Sequence, residues 1–272
     1  MPLTGFQHEV LSLLAAARTT DGYVAGGAAL HTHERSVRIS RALDFFHDAL
    51  EEVGAAFDED RAVLIEAGYS LQVLMSQPGY VRALVGREGR RTQIDWAHDS
   101  GWRFLPTVRT PDGFPVLHDV DLAVNKTLTL AGRDEPRDFV DMLYAHERIL
   151  VLGALVWAAV AKDPGFTPFS LLAQLKRRGR HRHEEIERLD LTQPFDLAGA
   201  KSIWLAALSD AETFVRSRPA DEVGCLYYSP SQDRFLAPLP DTPLEDQGLV
   251  THFAQTGGVL PQPAGLEIER SR

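Results

Sequence analysis

The sequence predicts an α+β protein: a mixed or antiparallel sheet with flanking helices in the first half, then a helical C-terminal half. Two observations carry this. Between residues 69 and 98, β-branched and alternating apolar residues fall in three segments separated by Gly/Pro turns. From about residue 118 to 216, apolar residues recur at helical spacing between Gly and Pro breaks. A run of strands followed by a run of helices favours α+β over a doubly wound sheet.

Taken in order, Thr4 and Gln7 have the spacing of a capping box, and Phe6, Val10, Leu11, Leu13 and Leu14 continue a helix to about residue 17. Thr20-Asp21-Gly22 reads as a turn. Tyr23-Val24-Ala25 is a short strand running into Gly26-Gly27, after which Ala28-Ala29-Leu30 begins a helix. A polar connection from His31 to Ser40 leads to a second short strand, Leu43 to Phe46. Residues 49–67 are predicted helical, with Gly54 and Asp58-Glu59-Asp60 marking a break. Tyr69 to Met75, Tyr80 to Val85 and Arg91 to His98 form an antiparallel meander. Helices follow at 119–132, 135–147, 151–161, 167–178 and 197–216. The expected division is an α/β core over 1–118, a helical domain over 119–228 and an irregular C-terminal tail over 229–272.

The 272 residues are 44% hydrophobic and 24% charged, so disorder and fibrous repeats are excluded for the chain as a whole. The net charge of -10 argues against a protein that coats DNA through a general Lys/Arg excess. Cys225 is the sole cysteine, which excludes an intrachain disulfide and suits a reducing cytoplasm. The segment MPLTGFQHE has neither the basic nor the apolar region of a signal peptide. The apolar run Ile149 to Ala161 falls short of the roughly 20 residues that cross a bilayer and is closed by Arg148 and Lys162. Cytoplasmic location without membrane or DNA partners is the expectation.

The candidate chemistry begins at Gly26-Gly27. A glycine pair at a strand-to-helix junction lets backbone N–H groups approach a phosphate without a Cβ in the way. Carboxylates at i and i+2 on a nearby strand point to one side and together hold divalent cations. Lys126 and Arg133, seven residues apart, share one helix face and can clamp an anion. His31-x-His33 and His181-x-His183 have no Cys companions, which argues against structural zinc.

The segments FQHEVLSLLAA, YVAGGAAL, RISRALDFFHD, IDWAHDSGWRFLP, DLAVNKTLTLAGRDEPRDFVDML and KDPGFTP, in that order, resemble the AbiEii/AbiGii-type nucleotidyltransferase toxins, which include the MenT-type toxins of toxin-antitoxin systems. The resemblance implies a polymerase-β-like core, transfer of nucleotides from an NTP with Mg²⁺ or Mn²⁺ onto RNA, in several members onto the 3′ acceptor end of tRNA, which is the acceptor expected here, and control by a cognate antitoxin. The family pattern S-x-D-x-D is met by Ser40-Arg41-Ala42-Leu43-Asp44, so Ala42 replaces the first metal-binding aspartate. This form is expected to be catalytically impaired. Either an engineered substitution or a naturally degraded member explains Ala42, and the intact remaining segments favour the former. Asp44 matches the second aspartate of the motif.

The resemblance further implies a third carboxylate on an adjacent strand, for which Asp95 is preferred over Asp99, and a phosphate contact at Ser40. His47 is expected to support Asp44 from behind. It also implies nucleotide binding and catalysis by Lys126 with Arg137-Asp138-Phe139-Val140-Asp141, in which Asp138 or Asp141 orients the lysine or acts as general base. The basic run Lys176-Arg177-Arg178-Gly179-Arg180-His181-Arg182-His183 contains no acidic residue and is the expected RNA-backbone contact, with Arg87, Arg90 and Arg91 as a smaller cluster. The alternatives are a non-catalytic relative that binds nucleotide, RNA or antitoxin, and a toxin that transfers AMP to protein.

Overall fold

The computed structural model describes residues 3–17, 22–30, 37–110 and 113–261, so Thr20, Asp21 and the His31-x-His33 pair lie outside the described residues. By its internal contacts the chain divides into two compact units. The first comprises residues 1–101, 107–122 and 181–197, and the second residues 102–106, 123–180 and 198–272.

The first unit is built on a mixed seven-stranded sheet. Helix α1 (Gly5–Ala17) starts at the predicted capping box: the Thr4 N–H donates to Gln7 Oε1 at 2.9 Å and the Gln7 N–H to Thr4 Oγ1 at 3.1 Å. Strands β1 (Tyr23–Ala25), β2 (Ala42–His47), β3 (Ser70–Gln77), β4 (Tyr80–Arg87), β5 (Arg90–His98), β7 (Val108–Arg109) and β8 (Pro115–Val116) lie in the order β3-β4-β5-β2-β1-β8-β7. The two-residue turn at Glu88-Gly89 sets Arg87 opposite Arg90, and this register places Arg82 opposite Asp95. β2 then pairs with β5 in parallel, with Asp44 beside Asp95, and with β1 antiparallel, with Ala25 beside Asp44.

Alternation gives this sheet two faces. Leu43, Phe45, Ile94, Trp96, Val81, Ala83 and Val85 are buried on one, against α1 and helix α3 (Glu52–Glu66). Helix α3 runs unbroken through the acidic stretch, contrary to the expected break. Asp60 is the reason: its carboxylate, 1% exposed, accepts the Trp96 indole N–H at 2.7 Å, so this acid is a buried partner and not a helix stop. Phe57 meets the same indole edge to face at 5.2 Å.

The helices of the C-terminal half match the predicted spacing within about three residues: α4 (Asp119–Gly132), α5 (Pro136–Arg148), α6 (Leu152–Ala159), α7 (Pro168–Leu175) and α9 (Leu197–Ser217), with a short α8 (His183–Glu187). Where an irregular tail is expected from residue 229, the described residues as far as 261 include further strands. β9 (Cys225–Ser229) sits between β10 (Arg234–Phe235) and β11 (Val250–Phe253), with α6 against β9. Cys225, Leu226 and Tyr227 are all buried, so this strand lacks the alternation that marks a half-exposed one. A two-stranded pairing of β6 (Trp102–Arg103) with β12 (Gln255–Thr256) completes the second unit. Among the described residues no helix is long and apolar enough to cross a membrane.

Candidate functional site

In the first unit, the other sheet face carries one continuous row across four strands: Arg82, Asp95, Asp44 and Ala25. Gly26 follows Ala25 with φ +68°, and a Cβ there would lie 2.2 Å from Asp44 Oδ2. At Gly27 a Cβ would lie 2.3 Å from Arg38 Nη2. The glycine pair is thus needed where a carboxylate and a buried guanidinium press on the backbone. The following helix, α2 (Gly26–Leu30), has only five residues, so its dipole adds little.

Ala42 lies on the same half-exposed face as Asp44, two residues earlier and beside Gln93, as the i, i+2 argument requires of an aspartate pair. Ser40 is buried. Its hydroxyl donates to the Ala42 carbonyl at 2.9 Å and its own carbonyl accepts from Gln7 Nε2 at 2.9 Å, which ties α1 to the entry of β2. Ahead of it, residues 37–39 pair with 190–192, and Arg41 forms an ion pair with Asp190. His47 faces the buried side of the sheet, opposite to Asp44, which corrects the expectation that it supports this aspartate. Asp99 falls beyond the end of β5.

Asp95 is tightly bound within the sheet. Its Oδ1 accepts from Arg82 Nε at 2.9 Å and from Gln93 Nε2 at 3.0 Å, and its Oδ2 accepts from Arg82 Nη2 at 2.6 Å and the Tyr80 hydroxyl at 2.8 Å. Burial, then the Asp95 hydrogen bond, push the Tyr80 phenol up to about 12. The Asp95 hydrogen bond raises the Arg82 guanidinium further. Tyr80 and Arg82 were not among the sequence candidates, although the Glu88-Gly89 turn register identifies both as neighbours of Asp95.

These residues do not fit the metal site that the resemblance implies. Ala42 offers no side-chain oxygen, both Asp95 oxygens are fully engaged, and among the described residues no group of three or more His, Cys, Asp or Glu is arranged to hold a metal ion.

The second unit holds a separate cluster. Lys126 on α4 places Nζ 2.6 Å from Asp141 Oδ2 and 3.3 Å from Asp138 Oδ1, while Arg133 Nε donates to Asp138 Oδ2 at 2.7 Å. Both carboxylates are fully buried and Lys126 is 7% exposed. Pro136 at the start of α5 and the extended Glu135 before it turn the chain so that Asp138 enters the first helical turn, where its charge is favoured. Two cations thereby match two buried anions, as burial of charge demands. The i,i+3 spacing of Asp138 and Asp141 converges on Lys126, and Arg137 is exposed.

The basic run is divided in its use. Lys176 pairs with Glu212, and Arg178 donates to the Ala131 carbonyl at 2.5 Å. Gly179, at φ +79°, lies against Phe139 and Trp204. Arg177, Arg180 and Arg182 are exposed. Of the smaller cluster, Arg87 and Arg90 both pair with Glu9 and lie over the rings of Tyr69 and Phe6, which assigns them to packing against α1; Arg91 is exposed.

No family model matches the sequence, and no curated protein matches it. Among solved structures, the chain is similar to the nucleotidyltransferase toxin MenT4 of Mycobacterium tuberculosis, with a TM-score of 0.55 and 17% identity over 79% of this chain and 83% of that one. JHP933 of Helicobacter pylori matches with a TM-score of 0.45 and 16% identity, over 77% and 90% of the two chains. The likeness to MenT4 shows a shared fold.

Proposed function

We propose that this chain is built on the plan of a toxin that transfers a nucleotidyl group from an NTP to RNA, with the 3′ end of tRNA as acceptor and an antitoxin as its control, and that Ala42 leaves it impaired. The observation that carries this reading is the buried Lys126 cluster, in which the residues of the motif match are paired with one another. In the reaction, the acceptor 3′ oxygen attacks the α-phosphorus, its proton leaves to a base, and pyrophosphate departs. Lys126 is suited to meet triphosphate charge. Asp138 and Asp141 suit the orienting role better than that of base: both are buried and their oxygens are held by Lys126 and Arg133.

Exposed Arg177, Arg180 and Arg182 supply phosphate contacts on a chain whose overall charge is opposite. Mg²⁺ or Mn²⁺ enters this proposal only for a form with aspartate at position 42. The test is Ala42→Asp, incubated with each labelled NTP and total tRNA. Label in the tRNA supports the reading; label in protein instead would identify the AMP-transferring alternative and overturn the RNA acceptor. Absence of transfer with every nucleotide would overturn the enzyme reading. A non-catalytic relative is the second reading, favoured by Ala42 together with the saturated Asp95.

A further inference from the structure

The disagreement between this sheet face and a metal site has a specific cause. A carboxylate offers about four lone-pair positions, and Asp95 has four donors on its two oxygens. The strongest is the forked guanidinium of Arg82, whose two nitrogens grip one oxygen each. A hard divalent cation needs those same lone pairs. Asp44 stands next in register on the parallel strand, roughly 4.8 Å away across the backbone, so the pair places two negative charges side by side. The Asp44 charge acts on Arg82 as well, adding to the upward shift that Asp95 causes.

We propose that Arg82 is a positioning residue that takes the place of a divalent cation at the Asp44/Asp95 carboxylate pair, keeping Asp95 out of metal coordination. Tyr80 and Gln93 complete the shell on Asp95. With no carboxylate at position 42, an incoming cation would meet Asp44 alone unless Arg82 released its partner. The proposal rests on reading this face as the nucleotidyltransferase face. Its test uses the protein alone with no nucleotide, so its failure is distinguishable from failure of label transfer by the Ala42→Asp form.

Mn²⁺ binding is measured at pH 8 by electron paramagnetic resonance of the free ion. Arg82→Met is expected to bind Mn²⁺ about tenfold or more tightly than the unsubstituted chain, since a charge-assisted fork is lost from the competing state. Arg82→Lys, which keeps the charge and loses the fork, falls between the two. Asp95→Asn added to Arg82→Met returns the affinity to that of the unsubstituted chain. Arg216→Gln, which disturbs the contacts of Arg216 with Glu212 and with the Phe169 ring, leaves it unchanged. Equal Mn²⁺ affinity in Arg82→Met and the unsubstituted chain overturns the proposal. Should Arg82→Met fail to fold by circular dichroism, Tyr80→Phe carries the test, because it removes one donor and leaves the ring: a rise of about threefold supports the proposal and no rise overturns it.

Discussion

Lys126 and Asp141 form a buried ion pair in which the ammonium nitrogen lies 2.6 Å from a carboxylate oxygen, with Asp138 3.3 Å away on the other side. Three of the four charges in this group, those of Lys126, Asp138 and Asp141, are shielded from water; only Arg133 reaches solvent. Removing one partner strands the others. Lys126→Met is accordingly expected to cost about 3–5 kcal/mol of stability, measured by urea unfolding. The combined Lys126→Met/Asp141→Leu change, which removes the pair and restores apolar packing, should cost clearly less. Equal losses would show that the burden is packing and not the stranded charge.

At Gly26 the backbone is left-handed and Asp44 lies against the position of a Cβ. Gly26→Ala adds about 1–2 kcal/mol of backbone strain and forces the Asp44 carboxylate to move. Gly27→Ala meets the Arg38 guanidinium, with Nη2 at 2.3 Å and Cζ at 3.2 Å, but on a backbone without positive φ. Thermal unfolding should therefore show a larger fall in Tm for Gly26→Ala than for Gly27→Ala. The reverse order would overturn the assignment of Gly26 as the constrained position.

The extent to which these features are legible in the sequence follows from how local their causes are. The capping box of Thr4 and Gln7, the meander and the helix limits at Gly132 and Pro136 depend on neighbours within a few residues, and all stand as expected. At Lys126, spacing alone places only Arg133 on the same helix face, and the link to Asp138 and Asp141 comes from the family resemblance. Asp60 was misread because its partner, Trp96, is 36 residues away. Arg87 and Arg90 resemble a nucleic-acid contact in the sequence because Glu9, which pairs with both, is distant along the chain. β9 escaped notice because a fully buried strand has no alternation and its partner strands are short or remote.

Acid should destabilise the protein through neutral histidines. His118 Nδ1 accepts the Val120 N–H at 3.2 Å and His146 Nδ1 accepts the Leu152 N–H at 3.0 Å, so each lone pair holds an end of a helix. Burial lowers the pKa of both below 6.5. A lowered folded pKa means that the unfolded chain binds the proton first, so stability is complete above about pH 6.5 and falls as pH drops toward the folded value. The slope is at most about 1.4 kcal/mol per pH unit for each group. Urea midpoints between pH 7.5 and 5 should decline, and His146→Asn should flatten the decline. An unchanged slope in that variant would exclude His146 as a contributor.

The basic run offers a test in which neighbours in sequence behave differently. Lys176 is paired with Glu212, whose carboxyl this contact and Arg216 hold down at about 2, and Arg178 is spent on the Ala131 carbonyl. Arg177 and Arg180 are exposed. If the run contacts RNA phosphates, Arg177→Ala and Arg180→Ala should each reduce the magnitude of the slope of log K against log salt by about 1 and weaken tRNA binding without changing preference among tRNAs. Lys176→Ala should change the slope less, because Glu212 already neutralises that charge and must be released before a phosphate can take its place. Filter binding at several salt concentrations reads all three. Equal slopes for the three variants would mean that the local ion pair does not set which cations meet the RNA, and unchanged slopes in Arg177→Ala and Arg180→Ala would remove the run from the interface.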